Sequence, residues 1–468
     1  MQNIHRPQSP FEHLDRLKLT FTHIKIWYLS SAGFLTDAYD LFVISVVLAV
    51  LSSYSIPGFA ELHGPNAEFW TGILGSAALF ATIPGQLSFG RLGDRLGRKR
   101  MYGIEAAVLS LGAILSAISP NLLWLIVSRT FLGFGIGGDY PLSATIMSEY
   151  SNVKDRGKLV ALVFASQGIG ILASIGVGLA SVALLPPALA WRVMLGVGAI
   201  PAASVIYFRR RIPETPRYAL LVKDDVGEAQ KAAGLFGVEL APVRAKAEPI
   251  GVGEFFKSYW KTLLATTLPW FLMDIALYGT SVYQKDFINA IVGPAKTLFD
   301  EILHMGVPFM VGVPGYFVAA LLVDKWGRKP IQILGFAAMA ALYLAVSFLI
   351  GTPSALAIAA YSLVYFFINF GPNTTTFILP AELYPTRYRT TGHGISAAAG
   401  KVGAAISTLY FPILINEIGV PALLQLLAAF SALGLVISWL FLVEPKMTSL
   451  EAISGERISL VLTAPPAQ

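Results

Sequence analysis

Long apolar runs separated by short polar links repeat along the whole chain. They fall near 24–51, 70–90, 101–119, 121–148, 158–185, 189–208, 262–290, 302–323, 331–351, 354–378, 392–416 and 420–442. A helix needs about 20 mostly apolar residues to cross a bilayer, so the pattern predicts twelve spanning helices. Many links are rich in Gly and Pro, such as Ser119-Pro120-Asn121 and Gly351-Thr352-Pro353. One polar stretch, rich in Lys, Arg, Glu, Ala and Pro, divides six runs from six. The predicted organisation is an N-terminal six-helix bundle over 1–208, a cytoplasmic linker with a helix or two over 209–261, a C-terminal six-helix bundle over 262–442 and a cytoplasmic tail over 443–468.

Composition agrees with this class. Of the 468 residues, 55% are hydrophobic and 13% charged, and the mean hydropathy is +0.64. Soluble domains carry about 25% charged residues. Cysteine is absent, which excludes disulfides, thiolate metal sites and cysteine nucleophiles. No nucleophile–base pair or metal cluster stands out, so neither an enzyme nor a bound metal or cofactor is expected. The first 23 residues hold charges and no long apolar core, so no cleavable signal peptide is expected. The net charge of +6 invites a nucleic-acid reading, but its distribution gives a better one. With both termini in the cytoplasm, inner segments hold 29 of the 34 Lys and Arg, and the outer loops hold only Lys285 and Lys296. The positive-inside rule then fixes orientation, in a plasma membrane, without nucleic acid.

The two halves repeat each other. Asp94-Arg-Leu-Gly97-Arg98-Lys99 follows span 2, and Asp324-Lys-Trp-Gly327-Arg328-Lys329 follows span 8. Glu149 and Arg156 follow span 4 as Glu382 and Arg389 follow span 10, and Glu214 after span 6 matches Glu444 after span 12. These pairs lie 230 to 233 residues apart. Duplicated halves that rock around a central site are a common transporter plan. Gly90 to Lys99 resembles the loop 2–3 signature of the major facilitator superfamily, and Pro213-Glu214-Thr215-Pro216-Arg217 resembles the motif after span 6 in its sugar-porter branch. The fold class this implies is an all-α major facilitator protein. Its cytoplasmic gate would use Asp94 and Arg98 in one half, and Asp324 and Arg328 in the other.

Ionisable groups inside a bilayer cost roughly 2.5–3.5 kcal/mol each on insertion scales, so each one asks for a reason. Asp37 and Asp40 lie mid-span in span 1, three residues apart on one helix face. Close carboxylates resist double ionisation, which suits proton carriage; Asp40 has packing as its alternative. Arg129 in span 4 needs a carboxylate, and Asp37 is the candidate, with a purely structural salt bridge as the alternative. Asp139 and Tyr140 follow Gly133, Gly135, Gly137 and Gly138, a run that permits either tight helix packing or ligand approach. Trp270, Asp274 and Tyr278 recur every four residues on span 7. They drift by only about 80° and share one face. Gln167 and Asn373 are neutral amides for a ligand or for interhelical hydrogen bonds. Lys401 lies too deep in span 11 to reach the surface easily and needs a partner or an anionic substrate. Glu105 and His393 read as structural or interfacial.

A constellation of carboxylates, a lysine, an arginine, amides and hydroxyls suits a small anion that also carries donor protons. Dihydrogen phosphate fits: its oxygens would accept from Tyr140, Gln167, Trp270, Tyr278 and Asn373, and its hydroxyls would donate to Asp274. Sulfate offers no such proton, and an unpaired buried carboxylate is a strong basis for rejection.

Gly137-Gly138-Asp139-Tyr140-Pro141-Leu142-Ser143-Ala144-Thr145-Ile146-Met147-Ser148-Glu149-Tyr150 is similar to the span 4 signature of the phosphate:proton symporter family. Thr36 to Asp40, Trp270 to Asp274, Gly371 to Phe377 and Gly400 to Gly403 agree with it. The resemblance implies phosphate contacts for Tyr140, Gln167, Trp270, Asp274, Tyr278 and Asn373, and proton-linked roles for Asp37 and Asp139. For Lys401 it implies phosphate release or charge balance. The linker and tails are shorter than in plant and fungal relatives, which separates this chain from their regulatory features. The expected function is proton-driven phosphate import by a protein for which a monomer suffices. The alternatives are a proton-coupled carrier of an organic anion or sugar, and a phosphate sensor.

Overall fold

The computed structural model describes residues 9–240, 243–350 and 355–462. The Gly351-Thr352-Pro353 link lies outside them. Helices run over Phe21–Ser53 (span 1), Ala67–Leu96 (span 2), Arg98–Ala117 (span 3), Leu122–Tyr150 (span 4), Arg156–Leu184 (span 5) and Pro187–Arg209 (span 6). The second half repeats the plan with Val252–Val282 (span 7), Leu298–Trp326 (span 8), Arg328–Leu349 (span 9) and Ala355–Leu383 (span 10). Thr386–Phe441 is one long helical stretch. It breaks at Gly419, whose φ of +77° favours glycine, and this break separates spans 11 and 12.

Most helices overshoot the about 20 residues a bilayer requires, because helical hydrogen bonding continues into polar sequence beyond the apolar run. Span 7 is the clearest case. It begins at Val252 and carries Glu254, Lys257 and Lys261 in its first turns, then ends at Val282, before a separate helix over Gln284–Val292. The expected run over 262–290 therefore joined parts of two elements. Its apolar portion still centres near Asp274.

The halves meet where span 2 packs along span 11 and span 5 along span 8. Close approach is allowed by small residues: Gly90 lies against Thr390 and Gly394, and Gly168 against Val313 and Tyr316. The glycines of span 4 serve helix packing. A Cβ on Gly133 or Gly137 would strike the backbone of span 2, and one on Gly135 or Gly138 would strike Leu109 or Glu105 of span 3. Large apolar side chains cover the outside, with Leu184 79% and Phe348 72% exposed. Such a surface needs lipid rather than water around it.

In the linker, helices cover Pro216–Leu221 and Val226–Gly234. The strand Val243–Ala247 then pairs antiparallel with Ile458–Leu462 of the tail. Phe11 packs with Leu220, Ala229 and Ala233, so the N-terminal segment joins the same small layer.

Candidate functional site

The repeated loop motifs form a two-fold network. Gly97 and Gly327 have φ of +110° and +102°, so each turns the chain sharply between two spans. Glu214 and Glu444 cap the helices that follow, accepting from the backbone N–H groups of Lys99 at 3.3 Å and Lys329 at 2.8 Å. In one half Arg98 pairs with Asp94 at 3.3 Å and Glu149 at 3.0 Å; in the other Arg328 pairs with Asp324 at 2.9 Å and Glu382 at 2.6 Å. The halves then cross. Arg389 reaches Glu149 at 2.8 Å, and Arg156 reaches Glu382 at 3.0 Å. Asp94 accepts from the N–H groups of Thr390 and Thr391, and Asp324 from those of Gly157 and Lys158. These contacts tie the two halves together on the side that carries the linker and the tail. Glu149, Arg156, Glu382 and Arg389 complete this network, and sequence reasoning noticed them only as repeat markers; the equal seven-residue gaps were the available signal.

Beyond the gate lies a buried acid cluster in the N-terminal half. Arg209, the last residue of span 6, donates to Glu105 at 2.8 Å and to Asp139 at 3.0 Å. It also donates to the carbonyl of Leu29 at 3.1 Å and lies 4.4 Å over the Tyr102 ring. Ser143 donates to the other oxygen of Asp139. Asp37 lines the same small cavity, together with Glu105, Asp139 and Arg209. It is fully buried, and neither of its oxygens makes a hydrogen bond. Gly33 is required here, because a Cβ would overlap both Asp139 and Arg209.

The expected partner of Arg129 needs correction, and three open readings gain a placement. Arg129 is not paired with Asp37; its Nη2 donates to the backbone carbonyl of Asp40 at 2.6 Å. The arginine beside the Asp37 cavity is Arg209, which hydropathy had placed at the start of the linker. Asp40 is buried against Gly198 of span 6, away from a hydrogen-bonding partner. Glu105 and His393, read as structural or interfacial, are both buried and take the structural alternative. Glu105 belongs to the acid cluster. His393 is buried, its Nε2 donates to the carbonyl of Phe377 at 3.1 Å, and it packs edge-on to Trp270 with centroids 5.7 Å apart.

The central site joins the two halves. Lys401 of span 11 donates to Asp274 at 2.8 Å and to the Tyr278 hydroxyl at 3.1 Å, both on span 7. Its ammonium lies 4.2 Å from the centroid of Tyr278 and 5.0 Å from that of Tyr140, which comes from span 4 in the other half. Trp270 and Tyr140 rings lie 6.2 Å apart, and Gly400 is where the Trp270 indole needs room. Asp274 and Lys401 are each 1% exposed, and Oδ1 of Asp274 makes no hydrogen bond. Asn373 sits at a π-type turn over Asn369–Asn373, where Gly371 departs from helical geometry. Its amide donates to Tyr316 at 2.8 Å and Asn369 at 2.9 Å. Gln167 is buried with Nε2 unpartnered, one residue before Gly168, which packs on Tyr316. Sequence reasoning missed Tyr316 and Asn369, because a neutral side chain inside an apolar run carries no signal of its own.

On the face opposite this network a cavity of about 270 Å³ opens between the halves, lined by Ser45, Glu68 and Thr71 from one and by Tyr283, Asp286 and Asn416 from the other. The molecule is therefore closed on the side that carries the linker and the tail, with its central site enclosed.

Paired six-helix halves closing on one buried charged site define a secondary transporter of the major facilitator class. The family described as sugar (and other) transporter matches residues 27–456. The chain belongs to that family and, within it, groups with the inorganic phosphate transporters. It is 38% identical to the probable inorganic phosphate transporter 1-6 of Arabidopsis thaliana, over 96% of both chains. It is 40% identical to the probable transporter 1-7 of the same plant, over 95% of this chain and 94% of the relative. It is also 37% identical to inorganic phosphate transporter 1-1 of Oryza sativa subsp. japonica, over 95% of each. Among solved structures, the proton:xylose symporter XylE bound to 6-bromo-6-deoxy-D-glucose superposes with a TM-score of 0.77 at 19% identity, covering 93% of this chain and 99% of that one. The inward-open form of XylE from E. coli gives 0.68, covering 92% of this chain and 99% of that one.

Proposed function

We propose that this protein imports inorganic phosphate by proton symport through alternating access, in a plasma membrane with both termini in the cytoplasm. The observation that carries the reading is the Lys401–Asp274 pair, 2.8 Å long and flanked by Tyr278 and Tyr140 where the halves meet. A buried pair of this kind is a weak source of stability but a good receptor for an ion that is both anion and proton donor. Dihydrogen phosphate would insert between the partners, its oxygens accepting from Lys401, Tyr278 and Tyr140 while a hydroxyl donates to Asp274. Trp270, Gln167 and Asn373 would complete the wall. Sulfate would set an oxygen against the carboxylate with no proton between them, which supports selectivity.

Asp37 supports the coupling half of the reading. It is buried without a hydrogen bond, beside the Arg209–Asp139–Glu105 cluster, so adding a proton changes the charge of the cavity without breaking an existing bond. Protons arriving from outside would neutralise Asp37 or Asp139. Arg209 would shift its pairing, and the halves would rock as the gate exchanges partners. Arg129 and Asp40 would hold the outer part of spans 1 and 4 together. A monomer contains every residue in this cycle.

Reconstitution into liposomes tests the proposal. Labelled phosphate uptake under an inward proton gradient should vanish with a protonophore, and should be competed by arsenate but not by sulfate. Competition by sulfate equal to that by phosphate would refute the carboxylate-based selectivity.

A further inference from the structure

A second polar cavity lies on the cytoplasmic face, outside the transport path. It measures about 360 Å³ and is lined by Arg91, Arg95, Lys223 and Arg387, with Tyr218 and Tyr388 as walls. The four cationic side chains are exposed, and among the described residues none forms an ion pair. Asp94 is the one acidic residue in the lining, and its oxygens are already held by Arg98 and by the N–H groups of Thr390 and Thr391. The walls are fixed. Tyr218 donates to the carbonyl of Asp94 at 3.0 Å, and Tyr388 to that of Ile250 at 3.0 Å, while the Arg91 guanidinium lies 5.9 Å over the Tyr388 ring.

Four unneutralised cations around one concavity form an anion receptor. We propose that this cavity binds a phosphate-bearing anion, either free in the cytoplasm or carried as a lipid headgroup, and that its binding holds the gate shut. The second part follows from where the lining comes from. Arg91 and Arg95 belong to the N-terminal half, Lys223 to the linker, and Arg387 to the C-terminal half at the start of span 11. The cavity exists only while the cytoplasmic gate is closed, because opening carries Arg387 and Tyr388 away from Arg91. A ligand that binds one of two states shifts the population toward it. The site is thus a brake acting from the side that receives the transported solute, and it does not depend on which solute that is.

The test uses the full chain carrying Asp274→Asn, so that the central site does not bind the probe. In nanodiscs of phosphatidylcholine, calorimetry with pyrophosphate should show a single site whose affinity falls about tenfold or more in an Arg91→Gln/Arg95→Gln/Arg387→Gln variant and with added salt. In discs that also contain phosphatidylglycerol, native mass spectrometry reports retained lipid. Pyrophosphate binding that depends on the arginines identifies a free anion. Arginine-dependent retention of phosphatidylglycerol without pyrophosphate binding identifies a headgroup. Either result supports the proposal. If neither ligand binds, or if both bind equally to the wild-type and triple-variant cavities in proteins of matched melting temperature, the proposal is overturned.

Discussion

Replacing Lys401 with methionine tests the central site most directly. The ammonium sits 2.8 Å from Asp274, both groups are 1% exposed, and the Tyr278 hydroxyl is the other polar partner of the lysine. Methionine keeps most of the volume and removes the charge. Asp274 is then left buried without its cation, at a cost of about 3–5 kcal/mol, or it takes up a proton and loses its role as acceptor. Adding Asp274→Asn to the same chain removes the orphaned charge. The double variant should therefore recover stability that the single variant lost, with a coupling of about 3 kcal/mol. Thermal unfolding followed by tryptophan fluorescence should show Lys401→Met melting on the order of 5 °C below wild type and the double variant close to it. Phosphate uptake should be absent from both. A Lys401→Met protein that melts like wild type would show that the pair is not a desolvated ion pair, and uptake by the double variant would refute its place in the binding site.

Asp37→Asn should abolish uptake driven by a proton gradient while leaving phosphate exchange across a membrane with no gradient; loss of exchange as well would assign Asp37 to binding instead. Gly33→Ala places a Cβ on Asp139 and Arg209, so it should cut coupled uptake by about tenfold or more although alanine is otherwise welcome in a helix, and a wild-type rate would disprove the packed cluster. Glu382→Gln removes the carboxylate that holds both Arg156 and Arg328, so a cysteine introduced at Ser148 in this cysteine-free chain should be alkylated about tenfold faster from the cytoplasmic side. In the tail, burial alone would raise Glu451, but Arg217 and Arg389 outweigh it and hold its carboxyl below the ordinary value of 4.5. A lowered carboxylate contributes stability that is present above the unfolded value and lost as pH falls through the folded one. Protease cleavage of the tail should thus be slow at neutral pH and rise below pH 4.5 in wild type, and should already be fast at neutral pH in Glu451→Gln.

The buried charges were legible because the membrane makes them conspicuous. Asp37, Asp139, Asp274 and Lys401 stand out in apolar runs, and each has a place in a cluster. Their partners were less legible. Arg129 lies within span 4 and Arg209 at the end of span 6, and only the packing of span 6 against spans 1 and 3 decides that Arg209 meets Asp139. The glycines before Asp139 looked equally suited to a ligand or a helix, and the contacts with spans 2 and 3 settle them as packing.

The sequence by itself determined the number of crossings, the division into halves and the repeated gate motifs. Each follows from local quantities: hydropathy over a helical length and a spacing of 230 to 233 residues between matching motifs. Only the tertiary structure decided which charge neutralises which, that Glu149 and Glu382 each bind arginines from both halves, and that the tail strand Ile458–Leu462 pairs with the linker. Ion pairing acts over a few ångströms in space and is indifferent to separation along the chain, so a buried carboxylate announces that it needs a partner without saying where in the fold that partner comes from.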